Sequence, residues 1–290
     1  MILLNKIKSD FRRKLNPKKM INSIKILFFP KRFLLVRFMY DPYRLNWGDA
    51  LNIYLIEKIS NKKVLFAYDY FTIFQKEIYS VIGSVLDYCN EKKLVVWGSG
   101  FISANSRVEV SPKRILAVRG KLSRKLLIDQ NINCEEVYGD PALLLPLYLD
   151  CSKTAKKYSY GIIPHYIDLS DRDLLNYCEK NNIKLISVYS STEDFVKQIH
   201  ECEIIVSSSL HGLIAAEAYR IPNLWIKTKK SLNKDDDFKF FDYFSSLNLN
   251  KQKYELKDAI EHKIIEPICD DNILAKVQNN LLLSCPFVLN

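Results

Sequence analysis

From residue 33 onward the chain alternates short apolar runs with longer amphipathic ones, and most of the glycines sit just after an apolar run. Residues 33–38 read as a strand, Asn46-Trp-Gly-Asp49 as a turn and residues 50–59 as a helix. Further strands are expected at 79–82 before Gly83-Ser84, at 94–97 before Gly98-Ser99-Gly100, at 115–118 before Arg119-Gly120, and at 137–138 before Gly139-Asp140-Pro141. A basic helix follows Gly120 to about residue 129. A second series begins at 160–163: helix 170–180, strand 183–188, helix 192–201, strand 204–206, a Ser207-Ser-Ser-Leu-His-Gly212 turn, helix 213–219 and strand 223–226. Repeated strand–glycine–helix units mark a parallel, doubly wound sheet. Ligands of such sheets bind at the carboxyl ends of the strands, where glycine permits a tight turn or a close backbone approach.

The pattern divides the chain into four parts. Residues 1–32 form an arm, 33–150 a first Rossmann-like domain, 151–230 a second, and 231–290 a helical tail expected to pack back on the first domain. The apolar 143–149 and polar 150–157 stretches mark the boundary between the halves. A length of 290 residues accommodates two such domains.

Charge changes the picture only at the arm. The formal charge is +10, yet residues 1–37 hold eleven of the 43 lysines and arginines and one of the 33 acids, Asp10. The remaining residues balance at 32 of each sign, so no basic face on the folded body is required and nucleic-acid binding is not expected. Leu4, Ile7, Phe11 and Leu15 recur at helical spacing among Lys6, Lys8, Arg12, Arg13 and Lys14, up to Pro17. A basic amphipathic helix of this kind lies on an anionic membrane surface or packs as an extension. No run reaches the roughly 18 apolar residues that span a bilayer, and no cleavage signal follows the apolar stretches. Seven scattered cysteines without a C-x-x-C pair fit reduced thiols in a cytosol and no zinc site or disulfide framework. The expectation is a soluble cytoplasmic protein, peripheral on the inner leaflet if the arm binds membrane.

The candidate chemistry clusters at the strand ends. In Ser207-Ser208-Ser209-Leu210-His211-Gly212 an apolar strand runs into three hydroxyls, an imidazole and a glycine before a small-residue helix. A helix N-terminus attracts anions, the serines can donate to a phosphate, and one serine would suffice for capping alone. Arg119, directly after a strand, can clamp a carboxylate or phosphate; a surface helix-start arginine is the plain alternative. Asn46, Gly48 and Asp49 sit at the first strand–helix turn, where Asp49 is a catalytic candidate or simply a cap. Asp140, before Pro141, is a turn residue or points into the crevice, and His165 ends the first strand of the second half on the crevice side. His200 and His262 have charged helical neighbours and read as exposed. No acidic cluster suggests a metal, and neither G-x-x-x-x-G-K-[ST] nor G-x-G-x-x-G occurs.

Taken together in order, Asn46-Trp-Gly-Asp49, Gly83-Ser84, Trp97-Gly-Ser-Gly100, Val118-Arg-Gly120, Tyr138-Gly-Asp-Pro-Ala-Leu-Leu145, Ile162-Ile-Pro-His165, Ser207-Ser-Ser-Leu-His-Gly212 and Asp237-Phe-Lys-Phe-Phe-Asp-Tyr243 resemble the polysaccharide pyruvyl transferase family over residues 40–245. The resemblance implies an α/β fold with two parallel-sheet domains arranged as in the GT-B glycosyltransferases. It implies transfer of pyruvate from phosphoenolpyruvate to two hydroxyls of a sugar, forming a ketal, with no cofactor or metal. The acceptor would be a bacterial surface polysaccharide, such as a capsule or exopolysaccharide, or its lipid-linked oligosaccharide. Arg119 and His211 occupy the positions that contact the donor, with Asp49 and Asp140 as further catalytic candidates. Asn46, Gly48, Gly98, Ser99, Gly100, His165, Ser207, Ser208, Ser209, Leu210 and Gly212 line the substrates. Several members carry arginine two residues before the histidine, where this chain has Ser209; Arg220 and Lys227 are the candidate replacements. His211 suits the general acid that protonates the donor's methylene, and Asp49, Asp140 or His165 the base for the hydroxyls. A nucleotide-sugar glycosyltransferase and a non-catalytic polysaccharide-assembly protein remain the alternatives.

Overall fold

The computed structural model describes residues 23–24, 26, 32–39, 45–70, 72, 75–88, 91–228 and 237–287. The basic arm, apart from Ser23, Ile24, Ile26 and Arg32, lies outside the described residues. Ile26 is buried beside Leu35, Ile78 and Val96, so the end of the expected arm belongs to the core of the first half.

Two five-stranded sheets, parallel throughout, form the body. The first contains β1 (Phe33–Val36), β2 (Lys63–Phe66), β3 (Ile78–Ser80), β4 (Leu94–Trp97) and β5 (Arg114–Ala117), in the order β2-β1-β3-β4-β5. The second contains β6 (Tyr158–Ile163), β7 (Lys184–Leu185), β8 (Cys202–Ser207), β9 (Asn223–Lys227) and β10 (Lys253–Glu255), in the order β10-β9-β8-β6-β7. Counted from its own first strand, each sheet runs 2-1-3-4-5. Strand order therefore reverses between β1 and β3 and again between β6 and β8, the places where doubly wound sheets open a crevice. Ile163 pairs with Ser207, so the turns leaving β6 and β8 emerge side by side.

Eight helices complete the described fold: α1 (Trp47–Ser60), α2 (Lys121–Asp129), α3 (Arg172–Lys180), α4 (Thr192–His200), α5 (Leu210–Ala218), α6 (Phe238–Ser246), α7 (Leu256–Glu261) and α8 (Asp271–Leu283). Side chains of Asn46, Asp171, Ser191 and Asp270 cap α1, α3, α4 and α8 by accepting from first-turn amides. Asn61 ends α1 in the left-handed region at φ 52°. Helix α5, apolar nearly all round its circumference, is buried on nearly all sides. It lies between its own sheet and the apolar 3-10 helix Pro141–Leu147 of the first half.

The two halves are keyed together by Trp47. Its ring has 1% exposure and stacks on Phe195 of α4 at 4.2 Å, and its amide donates to Val188 O at 2.7 Å. Burying an indole removes about 200 Å² from water, worth on the order of 5 kcal/mol as an upper bound. The tail divides between the halves. Trp97 Nε1 donates to Leu281 O (3.1 Å), Gln278 donates to Leu143 O (2.7 Å), and Phe287 packs edge-on against Trp97 and Tyr79. These contacts seat α8 on the first half, whereas β10 and α7 extend the second sheet.

Other departures from the sequence reading are local. Residues 137–138 make one parallel bridge, Val118 to Tyr138, in place of a strand. The expected strand 183–188 shortens to the two residues of β7. Strands β2 and β10 are short and carry lysine at their first positions, which hides them from apolar-run reading. Among the described residues no helix is long and apolar enough to cross a membrane.

Candidate active site

His211 stands in the first turn of α5, at the carboxyl end of β8, and projects into the seam between the halves. One edge of its imidazole lies on Gly48 at the start of α1: a Cβ at position 48 would sit 2.0 Å from Nδ1. The other edge faces Asp140, with Nε2 to Oδ2 at 3.7 Å. Neither atom has a hydrogen-bond partner, although both are buried. Asp140 is fully buried, and its other oxygen caps the 3-10 helix by accepting from Ala142 N at 2.9 Å. The carboxylate is thus held by the first half while pointing at a histidine of the second. The imidazole keeps 17% exposure at this seam.

Asp49 completes the cluster from the first turn of α1. Burial pushes its carboxyl up from 3.8 to about 6, and the neighbouring His211 pulls it partly back. Asn46 positions this turn by accepting from Gly48 N at 3.1 Å. Asn52, one turn further along α1 and fully buried, pairs with both backbone groups of Ile82: Nδ2 to Ile82 O at 3.1 Å, and Ile82 N to Oδ1 at 3.0 Å. This amide fastens α1 to the turn after β3, and the sequence reading missed it because a lone asparagine inside a helix carries no signal.

Two hydroxyls of the serine turn are engaged within the fold. Ser207 Oγ donates between Ile163 O and Ser209 O (both 2.8 Å) and accepts from Ser209 N (3.0 Å). Ser208 Oγ accepts from His165 N at 2.9 Å. These two hydroxyls lace β6 to β8 and fix where α5 begins. A Cβ on Gly212 would meet Ser207 Oγ at 2.4 Å, so the glycine lets the helix pack onto the lacing. Ser209 is the N-cap residue, its side chain makes no cap bond, and Leu210 beside it is buried.

Arg119 does not reach the seam. Its side chain has no exposed surface; Nε donates to Asp242 Oδ2 at 3.0 Å, Nη1 to Ser84 Oγ at 2.6 Å and Nη2 to Phe101 O. Asp242, from α6, also accepts from Ser123 N and Ser123 Oγ at the start of α2. The arginine therefore locks α6 onto the turn after β5, and the donor-clamp expectation is replaced by an interior ion pair. Gly98-Ser99-Gly100 is likewise internal. Ser99 Oγ bonds Ser80 Oγ at 2.8 Å, a Cβ on Gly100 would strike the Arg119 guanidinium, and Gly98 packs on Pro141 with φ +96°.

His165 reaches the crevice rim half-buried, its ring against Tyr166. His200 is half-buried rather than exposed, edge-on to Tyr219. Arg220 sits at the far end of α5 from His211 and pairs with Asp271 at 2.7 Å; Lys227 pairs with Glu255 at 3.4 Å. Neither replaces an arginine at position 209. No group of three histidine, cysteine or carboxylate side chains among the described residues is placed to hold a metal ion.

The site thus unites an imidazole of one half with two carboxylates of the other, a set suited to proton transfer at a bound ligand. Residues 90–230 match the model of the polysaccharide pyruvyl transferase family. The chain is 32% identical over 215 residues to the protein L143 of Acanthamoeba polyphaga mimivirus, covering 72% of this chain and 74% of that one. It is 26% identical over 215 residues to the succinoglycan biosynthesis protein ExoV of Rhizobium meliloti, covering 70% of this chain and 62% of ExoV. Two structures of the H444N variant of the wall teichoic acid polymerase TagF align over 92% and 93% of the chain, and over 91% and 92% of their own, at 10% identity with TM-scores of 0.40 and 0.42. The matched region contains Arg119, Asp140 and His211 and takes in strands of both sheets, β4 to β9, and the chain belongs to the polysaccharide pyruvyl transferase family.

Proposed function

We propose that this protein transfers a pyruvyl group from phosphoenolpyruvate to two hydroxyls of a sugar in a polysaccharide or its lipid-linked precursor. The observation that carries this reading is the meeting of His211 with Asp140 and Asp49 at the seam. His211 gives a proton to the donor's methylene carbon, and C2 becomes electrophilic. One sugar hydroxyl adds to C2 and loses its proton to Asp49. Phosphate departs with the former C2–O bond pair and takes the proton held by Asp49, and the second hydroxyl closes the ketal, returning a proton to His211. The products are the ketal and inorganic phosphate. The departing phosphate lies at the N-terminus of α5, where the helix dipole favours an anion. Arg119 acts at a distance, by holding α6 and the turn after β5.

The test is phosphate release from phosphoenolpyruvate with a panel of sugars, alongside thermal-shift titrations with phosphoenolpyruvate and with UDP- and GDP-sugars. A ligand of the folded state raises the melting temperature as it passes its Kd. A shift with phosphoenolpyruvate, and phosphate release abolished in His211→Ala with that shift retained, supports the reading. A shift with nucleotide sugars alone overturns it in favour of a glycosyltransferase.

The same reading gives the basic arm a role at an anionic inner-leaflet surface carrying lipid-linked acceptor. Removing residues 1–20, which spares the core residue Ile26, lowers co-sedimentation with phosphatidylglycerol vesicles. Unchanged co-sedimentation returns the arm to a packing role.

A further inference from the structure

A groove of about 650 Å³ opens at the carboxyl ends of β9 and β10, between α3 and α7. Asp168, Asp171, Tyr177, Lys227, Thr228 and Asp258 are among the residues that line it. Asp168 is the unusual member. It has no solvent exposure, Oδ2 accepts from Thr228 Oγ1, and Oδ1 is buried without any hydrogen-bond partner. An unmatched carboxylate oxygen costs about 1–3 kcal/mol or more, so a protein retains one where a ligand supplies the donor. The lining combines five carboxylates, the Thr228 hydroxyl, the Asn176 amide, three lysine ammonium groups and the phenol ring of Tyr177. A polyhydroxylated ligand matches this set, because its adjacent hydroxyls donate to the carboxylates, its ring and hydroxyl oxygens accept from the lysines and its C–H face lies on an aromatic ring. A metal ion does not match it, since no three ligating side chains converge among the described residues.

The groove is linked to the catalytic seam through the backbone. Asp168 N donates to His165 O at 2.9 Å, closing the short 3-10 turn Tyr166–Asp168. His165 N in turn donates to Ser208 Oγ, three residues before His211. The geometry points to a saccharide subsite in this groove that grips acceptor sugars outside the reacting unit, with Asp168 as its anchoring acceptor. This inference rests on the pyruvyl-transfer reading for the identity of the chain it holds.

The experiment is a glycan array of oligosaccharides two to eight sugars long, probed with labelled wild-type protein, Asp168→Asn, Tyr177→Ala and His211→Ala. Asparagine keeps an oxygen for Thr228, and an unchanged melting temperature confirms that the variant folds. Wild type and His211→Ala are expected to bind the same glycans. Asp168→Asn and Tyr177→Ala are expected to bind them about tenfold or more weakly, the scale of one lost charged hydrogen bond. Equal binding by wild type and Asp168→Asn, or no glycan bound by wild type, overturns the proposal. A lysine heptapeptide that binds wild type in an Asp168-dependent manner while no glycan does also overturns it, and makes the groove a peptide site. Phosphate release from phosphoenolpyruvate with monosaccharides separates the two readings. Turnover without Asp168-dependent glycan binding rejects the groove alone, and Asp168-dependent glycan binding without turnover rejects the pyruvyl donor alone.

Discussion

Gly48 of the first half bears directly on the imidazole of His211 in the second, closely enough that a methyl group there would fall 2.0 Å from Nδ1. The contact ties the placement of the proposed acid to the way the halves close. Alanine at position 48 must displace the ring, because the other side of the clash is the start of a helix capped by Asn46. Gly48→Ala is expected to lower kcat for phosphate release by about a hundredfold, the usual consequence of misplacing a catalytic group by an ångström. The melting temperature should fall only modestly. A variant with a normal rate would place the reacting atoms away from this edge of His211.

The Arg119–Asp242 pair makes a different prediction. Both side chains have no exposure, and removing either leaves an uncompensated charge in the interior. Arg119→Ala and Asp242→Ala should each lower unfolding free energy by about 3–5 kcal/mol in urea titrations. Loss of donor binding in Arg119→Ala would then accompany loss of stability. An Arg119→Ala protein of native stability that failed to bind phosphoenolpyruvate would restore the clamp role. Chain context also explains why the Asp237–Tyr243 motif accompanies Arg119-Gly120. A Cβ on Gly120 would lie 1.7 Å from Asp242 O, so arginine, glycine and aspartate form one packed joint.

Both sheets were visible in the sequence because β1 is a clear apolar run and β4, β6 and β8 are runs that end on glycine, proline and serine respectively. The cluster of His211, Asp49 and Asp140 was legible as three strand-end residues. What periodicity does not convey is which strand ends face ligand and which face one another. Arg119 and Ser99 occupy the same kind of position as His211, yet the first meets α6 and the second meets Ser80. Those partners lie 123 and 19 residues away in the chain. The fully buried Asp168 was missed because Tyr-Ile-Asp has no pattern, and its isolation is visible only once Thr228 is brought beside it.

Trp47 tests the rigidity of the seam. Trp47→Ala empties an indole-sized space between α1 and α4 and is expected to cost about 3–5 kcal/mol in unfolding free energy. Trp47→Phe keeps a ring against Phe195 and should recover most of that loss. Because Trp47 precedes Gly48, activity in the phenylalanine variant should fall further than stability does. Equal stability of the alanine variant and wild type would show that the halves are held elsewhere, by α8 on Trp97 in particular.

Asp49 gives the site a pH signature. Its carboxyl titrates near 3.8 when unfolded and about 6 when folded. Between those values the folded state holds a proton that the unfolded state has released, so this group makes stability fall as pH rises from about 4 to about 6. Above about 6 both states are ionised and its contribution is flat. Asp49→Asn should remove that slope, raising stability at neutral pH by up to about 3 kcal/mol relative to wild type. Activity runs the opposite way, since a base must be ionised to accept the hydroxyl proton. kcat/KM of the wild type should rise through about pH 6, and Asp49→Asn should lose that rising limb together with about 10²–10⁴ of the rate. A more stable protein with the same activity profile would keep the buried carboxyl and pass the base role to Asp140 or His165.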